Sequence, residues 1–300
     1  MMIIVAACSL IAFVLLTPES ALAWGPVTHI ALGVQVLATV ITPDHPLQAT
    51  IANLPEVFLY GSLAPDIVQG RRLQSRLRRH SHNWSTGLGL LRAARSAEQT
   101  AFALGYLAHL AGDIVAHNFF LPARFIGRFD SRIASHIYCE ARFDTFHDRG
   151  HRELMLKVID ADYRPLNRML KRAIDSPLVS FSTHRAVFEG GLRRIRELYR
   201  GMEALGGPDP SERVDVDLFS SASCAAIAGV LGNSIDAPAY KFDPMGEQAI
   251  KRALTLRRNL RRLVRLGPKA RGTARSMADT MVADLRTHLR ESTFAGPSIA

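Results

Sequence analysis

His109-Leu-Ala-Gly-Asp113-Ile-Val-Ala-His117 sets three polar groups at i, i+4 and i+8 of an otherwise apolar run. Positions four apart lie on one helical face, so the three form a single stripe. Burying such a stripe without partners is costly. A metal ion removes the cost, because imidazole nitrogen and carboxylate oxygen are both good zinc donors. The stretch therefore reads as a core helix with ligands at its centre.

Its surroundings read the same way. Apolar positions recur at helical spacing over residues 28–41, 86–120, 131–147, 150–175 and 184–205. A small-residue helix around 216–232 and two basic helices near 245–266 and 268–292 follow. Alternating apolar runs joined by hairpin turns are scarce. The expected fold is all-α, a multi-helix bundle with the metal site between helices. Gly206-Gly207-Pro208-Asp209-Pro210 is the clearest break. It separates a metal-binding helical core, 24–205, from a basic C-terminal helical extension, 211–300, packed on it. Nine of the 11 histidines fall before residue 152, which puts the chemistry in the first half.

Four further segments carry ligand-type residues. His136 and Glu140 repeat the i, i+4 spacing, and their neighbours Asp144 and His147 read equally well as surface groups. Gly61-Ser62-Leu63-Ala64-Pro65-Asp66 sets an acid in a turn after an apolar stretch. In His80-Ser81-His82-Asn83-Trp84 the two histidines face the same way only if the segment is extended, so one of them is expected to bind metal. Trp24-Gly-Pro-Val-Thr-His29 matters if the chain begins at Trp24, since a free α-amino group and its neighbouring carbonyl chelate a metal.

The N-terminus supplies that beginning. Met1 to Leu16 is almost wholly apolar, Pro18 breaks any helix, and Ala21-Leu22-Ala23 has the small-x-small pattern of a signal-peptidase site. Residues 1–23 read as a signal peptide, which implies a periplasmic or secreted protein with Trp24 first. The apolar run is short for a membrane span, and no later stretch reads as one. With 48% apolar residues the chain is folded rather than disordered. Its net charge of +10 points to anionic partners: nucleic acid, anionic lipid or phosphorylated substrates. Cys139 and Cys224 either form one bridge or stay as small buried groups, and there is no disulfide framework.

Taken together, the mature Trp24 with His29, the run to Asp66, His82-Asn-Trp, the stretch from Leu104 to Phe119 and His136-Ile-Tyr-Cys-Glu140 resemble the zinc-dependent phospholipase C family. That family shares a superfamily with single-strand-specific zinc nucleases. The resemblance covers residues 24 to about 145. It implies an all-α fold with up to three zinc ions. One zinc takes the amino group and carbonyl of Trp24 with His29, and Asp113 bridges it to a second. The second also uses His109, Asp66 and one of His80 or His82. The third takes His117, His136 and Glu140. The Asp113–His117 gap is shorter than in the best-known members, and the Trp24–His29 spacing is short, as in the nucleases.

The implied activity is zinc-dependent hydrolysis of phosphodiesters, with phospholipid headgroups as substrate and Asp66 as ligand and base for the attacking water. Residues 241–293 hold 13 Lys or Arg against 5 Asp or Glu. Arg257, Arg258, Arg261, Arg262 and Arg265 are expected to meet an anionic membrane surface. Two alternatives stand beside this reading. A nuclease would stack bases on Trp84, Tyr106, Phe119 or Phe120. A non-catalytic exported protein would keep the metal for structure alone.

Overall fold

Pro26 opens helix α1 (Pro26–Thr39), where proline's fixed φ suits a first turn. The computed structural model describes residues 24–68, 80–131, 136–174, 180–204, 210–232, 237–292 and 294, so the expected signal segment 1–23 lies outside the described residues. Helices α2 (Gln48–Ile51) and α3 (Pro55–Leu63) follow, then α4 (Trp84–Ala93) and α5 (Ala97–Val115). Beyond a π turn (Ala116–Phe120) come α6 (Leu121–Gly127), α7 (His136–Asp144), α8 (Arg149–Asp160) and α9 (Arg164–Ala173). The chain continues through α10 (Phe181–Ala204), α11 (Pro210–Leu231), α12 (Glu247–Val264) and α13 (Pro268–Glu291). There is no strand among the described residues.

Two expected helices are split. The run 86–120 breaks at Ala94–Ser96, where Ser96 Oγ accepts the Gln99 amide and caps α5. The run 150–175 breaks before Pro165, which sits in the first turn of α9. In both places a cap or a proline outweighed continuous hydrophobic spacing.

Helix α5 is the axis of the bundle, and every residue from Ala101 to Val115 is buried. Helices α3, α4 and α11 pack along it, and α1 crosses beside it. The α3–α5 crossing is a glycine contact. A Cβ on Gly61 would stand 2.2 Å from the Phe102 carbonyl oxygen, and one on Gly105 would stand 2.0 Å from that of Phe58. Only glycine lets these backbones approach so closely, and the approach brings the end of α3 onto the His109 side of α5.

Among the described residues one hydrophobic cluster runs from Trp24 through α5 and α11 to Phe294. The helices from residue 210 onward therefore share the core of the described residues between 24 and 204. By length and composition, Glu212–Leu231 is apolar enough to cross a membrane, contrary to the sequence reading. In this fold it packs on α5 and α1. At its start, buried Glu212 meets Arg124, Arg128 and Arg142, tying α11 to α6 and α7. Cys139 and Cys224 are both free and buried, so no bridge joins them.

The basic C-terminal helices also differ from expectation. Arg257 is only 9% exposed and donates to the Ser131 carbonyl at 2.7 Å. Arg261 donates to the carbonyls of Phe129 (2.5 Å) and Ser131 (2.6 Å). These two guanidiniums satisfy backbone oxygens just after α6, as cations do at helix C-termini. Arg258, Arg262 and Arg265 stay exposed at i, i+4 and i+7 on one face of α12 and the turn after it.

Candidate metal centre

The π turn and α5 hold the predicted stripe in the interior. His109, Asp113 and His117 are at most 1% exposed. Asp113 is the hub. Its Oδ1 lies 3.3 Å from His29 Nε2, and its Oδ2 lies 3.3 Å from His109 Nε2 and 3.5 Å from His82 Nε2. His117 Nδ1 stands 4.0 Å from the same Oδ2. Asp66 comes from the 3-10 turn Ala64–Ile67 that ends α3, and its Oδ1 is 3.2 Å from His82 Nε2. The rings of His29 and His109 stack with centroids 3.9 Å apart.

Of the two histidines left open by the sequence, His82 enters the cluster. His80 Nε2 faces Asn83 Nδ2 at 3.3 Å. Ser81 and His82 lie in a turn before α4, so the two histidines do not share the facing of an extended segment, and Asn83 caps that helix by accepting the Ser85 amide at 2.8 Å. Glu140 is buried in α7 at 1% exposure. The side chain of His136 lies outside the described residues.

The donors are oriented as ligands. His109 Nδ1 donates to the Ser62 carbonyl at 2.8 Å, which leaves the Nε2 lone pair to face the cluster. There it meets carboxylate oxygens and, at 3.2 Å, His82 Nε2. Lone pairs converging on lone pairs repel unless a cation sits among them. Burial would push the Asp113 carboxyl up, but the charges and bonds of His109 and His29 hold it well below the usual range. Burial likewise works to lower the pKa of His109, and the charges of Asp113 and Asp66 raise it on balance. The pocket is thus built to hold positive charge. Ligand atoms of His29, Asp66 and His109, and of His82, His109 and Asp113, form two groups each within 4.8 Å. Mixed nitrogen and oxygen donors in such groups fit zinc.

The sequence reading missed a strap. Three consecutive carbonyls between α11 and α12 receive donors from the site. Trp84 Nε1 donates to the Phe242 carbonyl (2.9 Å), Asn118 Nδ2 to that of Asp243 (2.9 Å), and His117 Nδ1 to that of Pro244 (2.5 Å). The last bond turns His117 Nε2 to the other side of the ring. Trp24 also has a role beyond its backbone. Its indole is fully buried, donates to the Gly112 carbonyl at 2.9 Å, and packs on Phe143 with centroids 4.3 Å apart. That bond sets Trp24 against the residue preceding Asp113.

Asp144 is a second omission. It is wholly buried rather than at the surface, and it accepts the amides of Val27 (3.2 Å) and Thr28 (2.8 Å) along with the hydroxyls of Thr28 and Tyr199. It caps α1 from another helix and so fixes His29. Burial raises its carboxyl to about 6. His147, beside it, donates or accepts at Thr28 Oγ1 (3.0 Å), and burial lowers its imidazole to about 4. Replacing Asp144 by Ala strands four donors at once. At about 1–3 kcal/mol for each buried unsatisfied group, partly relieved by water, the expected loss is about 3 kcal/mol or more. Denaturant unfolding at neutral pH measures it, and a change below 1 kcal/mol, on the order of one ordinary hydrogen bond, contradicts the capping role.

Three of the aromatic side chains proposed for base stacking, Tyr106, Phe119 and Phe120, are buried, and Trp84 is held by Phe242 and Tyr240. Among known proteins, the family model for zinc dependent phospholipase C matches residues 28–184. No curated protein and no solved structure matches the chain.

Proposed function

The chain belongs to the zinc-dependent phospholipase C family, and on that premise we propose that it is an exported enzyme that hydrolyses the headgroup phosphodiester of phospholipids. The observation carrying this is the convergence of His29, Asp66, His82, His109 and Asp113 on one buried point, with His109 turned to it by the Ser62 carbonyl. Zinc bound there supplies Lewis acidity toward phosphate oxygens and lowers the pKa of water toward neutrality. The chain's own groups do the rest. Asp113 links the His29 side of the cluster to the His82–His109 side. Asp66, carried by the 3-10 turn Ala64–Ile67, would take the proton of the attacking water. His117, His136 and Glu140 are proposed for a third ion.

Export belongs to the same proposal. The apolar segment before Ala21-Leu22-Ala23 supports cleavage that makes Trp24 the first residue. The Trp24–Gly112 bond supports its main chain as a ligand beside Asp113. Membrane attraction is assigned to Arg258, Arg262 and Arg265 together with Leu266, which is 77% exposed.

One experiment tests the reading. Zinc-loaded protein starting at Trp24 is assayed for release of phosphorylated headgroups from vesicles of common phospholipids, beside a form with a tag fused before Trp24. Headgroup release is expected from the first. The tagged form is expected to hold one zinc fewer and lose most activity. No release from any lipid at full zinc occupancy sinks the proposal, and equal activity of the tagged form removes Trp24 from the ligand set.

A further inference from the structure

A groove of about 550 Å³ runs between α4 and α9, none of the candidate metal ligands lines it, and none of the chemistry above uses it. Its near end is Ser85 and Thr86, in the first turn of α4, which begins two residues after His82. Thr86 Oγ1 donates to the His80 carbonyl at 2.8 Å, so that end is joined to the segment delivering the ligand. From there the lining follows α4 through Gly89, Leu90 and Ala93, its last residue, to a far end at Arg95 in the break before α5. The volume is within the range of small-molecule sites, about 300–1,000 Å³.

The lining is divided by chemistry. Leu90, Met169 and Pro165 give an apolar floor. All the charges are arginines: Arg95, Arg168 and Arg172, with no Asp or Glu lining the groove among the described residues. Arg95 is held at the far end by donating to the carbonyls of Arg92 and Ala94, both at 3.1 Å. Arg168 and Arg172 come from one face of α9, four residues apart. An apolar floor under a guanidinium rim suits an amphiphile with a negative head, and guanidinium is the side chain best matched to phosphate. A quaternary ammonium head would find like charges there, and no carboxylate lines the groove among the described residues.

We propose that the α4–α9 groove is a substrate subsite selecting phospholipids of net negative charge over zwitterionic ones. It rests on the phosphodiesterase reading for what happens at its near end, but binding in the groove needs no turnover. Gly89 gives a direct handle, since a Cβ there meets nothing within 4 Å. Gly89→Trp therefore fills the groove with little strain on the fold, while Arg168→Glu with Arg172→Glu reverses its charge at exposed positions.

The test is calorimetric titration of the zinc-loaded protein with short-chain monomeric phosphonolipids whose bridging oxygen is replaced by CH₂, so that none is hydrolysed. One carries a glycerol head with net negative charge and one a choline head, and inorganic phosphate is the third ligand. The anionic lipid is expected to bind at least about tenfold tighter than the choline lipid, the equivalent of 1.4 kcal/mol. Gly89→Trp and the double arginine variant are each expected to erase that difference, with zinc content and Tm unchanged. Equal affinities for the two lipids in the unmodified protein overturn the proposal. So does loss in the charge variant alone, which would reduce the effect to a long-range field. Equal weakening of inorganic phosphate and lipid in both variants would make the groove a phosphate site and overturn the lipid assignment. Failure of the hydrolysis assay above leaves these results standing, so the two readings fail separately.

Discussion

Replacing Asp113 by Asn is expected to cost the protein its metal and at least about a thousandfold in kcat/KM, more than the 10–100-fold typical of a group one shell further out. Both Asp113 oxygens are engaged, Oδ1 toward His29 and Oδ2 toward His109 and His82, all within 3.5 Å. An amide keeps the shape and removes the charge. It also turns one oxygen into an NH₂ that presents hydrogens to imidazole lone pairs or to a cation. The direct readout is metal content of the purified variant. The second is stability: a thousandfold excess of zinc over its Kd stabilises a folded protein by about 4 kcal/mol. Wild-type Tm is expected to rise on adding zinc and the Asp113→Asn Tm to stay nearly flat. Full zinc occupancy in the variant would mean that Asp113 is not the bridge.

This centre was legible in the sequence where side-chain identity and helical spacing coincide. His109, Asp113 and His117 are four apart in a stretch whose intervening residues are apolar, so burial and a shared face were both expected from the string. Asp66 and His82 sit on short irregular segments, a 3-10 turn and the turn before α4. There the residue type gave the chemistry, but not which of His80 and His82 turns inward. The strap at Phe242–Pro244 left no trace, because its contribution is three carbonyl oxygens and any residue has one. Asp144 was invisible for a related reason: it caps a helix 116 residues away, and capping patterns are readable only when cap and helix are neighbours. The arginines of α12 show the limit from the other side. Spacing identifies which of them share a face, but not that Arg257 and Arg261 face the open carbonyls at the end of α6.

Gly246→Ala tests whether the strap acts on the metal centre or only covers it. Gly246 has φ +53°, and a Cβ there would stand 2.5 Å from His117 Cβ and 2.7 Å from the His117 carbonyl carbon and oxygen. The left-handed backbone alone costs a residue with a Cβ about 1–2 kcal/mol. The collision adds a specific effect, since the atoms it meets belong to the π turn presenting His117. To relieve it, the strap must lift, and the Pro244 carbonyl then releases His117 Nδ1. Losing the bond that orients a metal-binding histidine typically costs 10–100-fold in affinity or activity, and that range is expected here, together with loss of zinc from the His117 position. Gly267→Ala separates strain from steering. Gly267 also has positive φ, +118°, but a Cβ there meets nothing within 4 Å. It is expected to lower Tm while leaving zinc content and activity intact. The family match ends at residue 184, so the strap comes from a part of the chain outside it. If Gly246→Ala loses Tm but keeps its zinc and its activity, as Gly267→Ala should, the strap is only a cover, and His117 is oriented by the π turn alone.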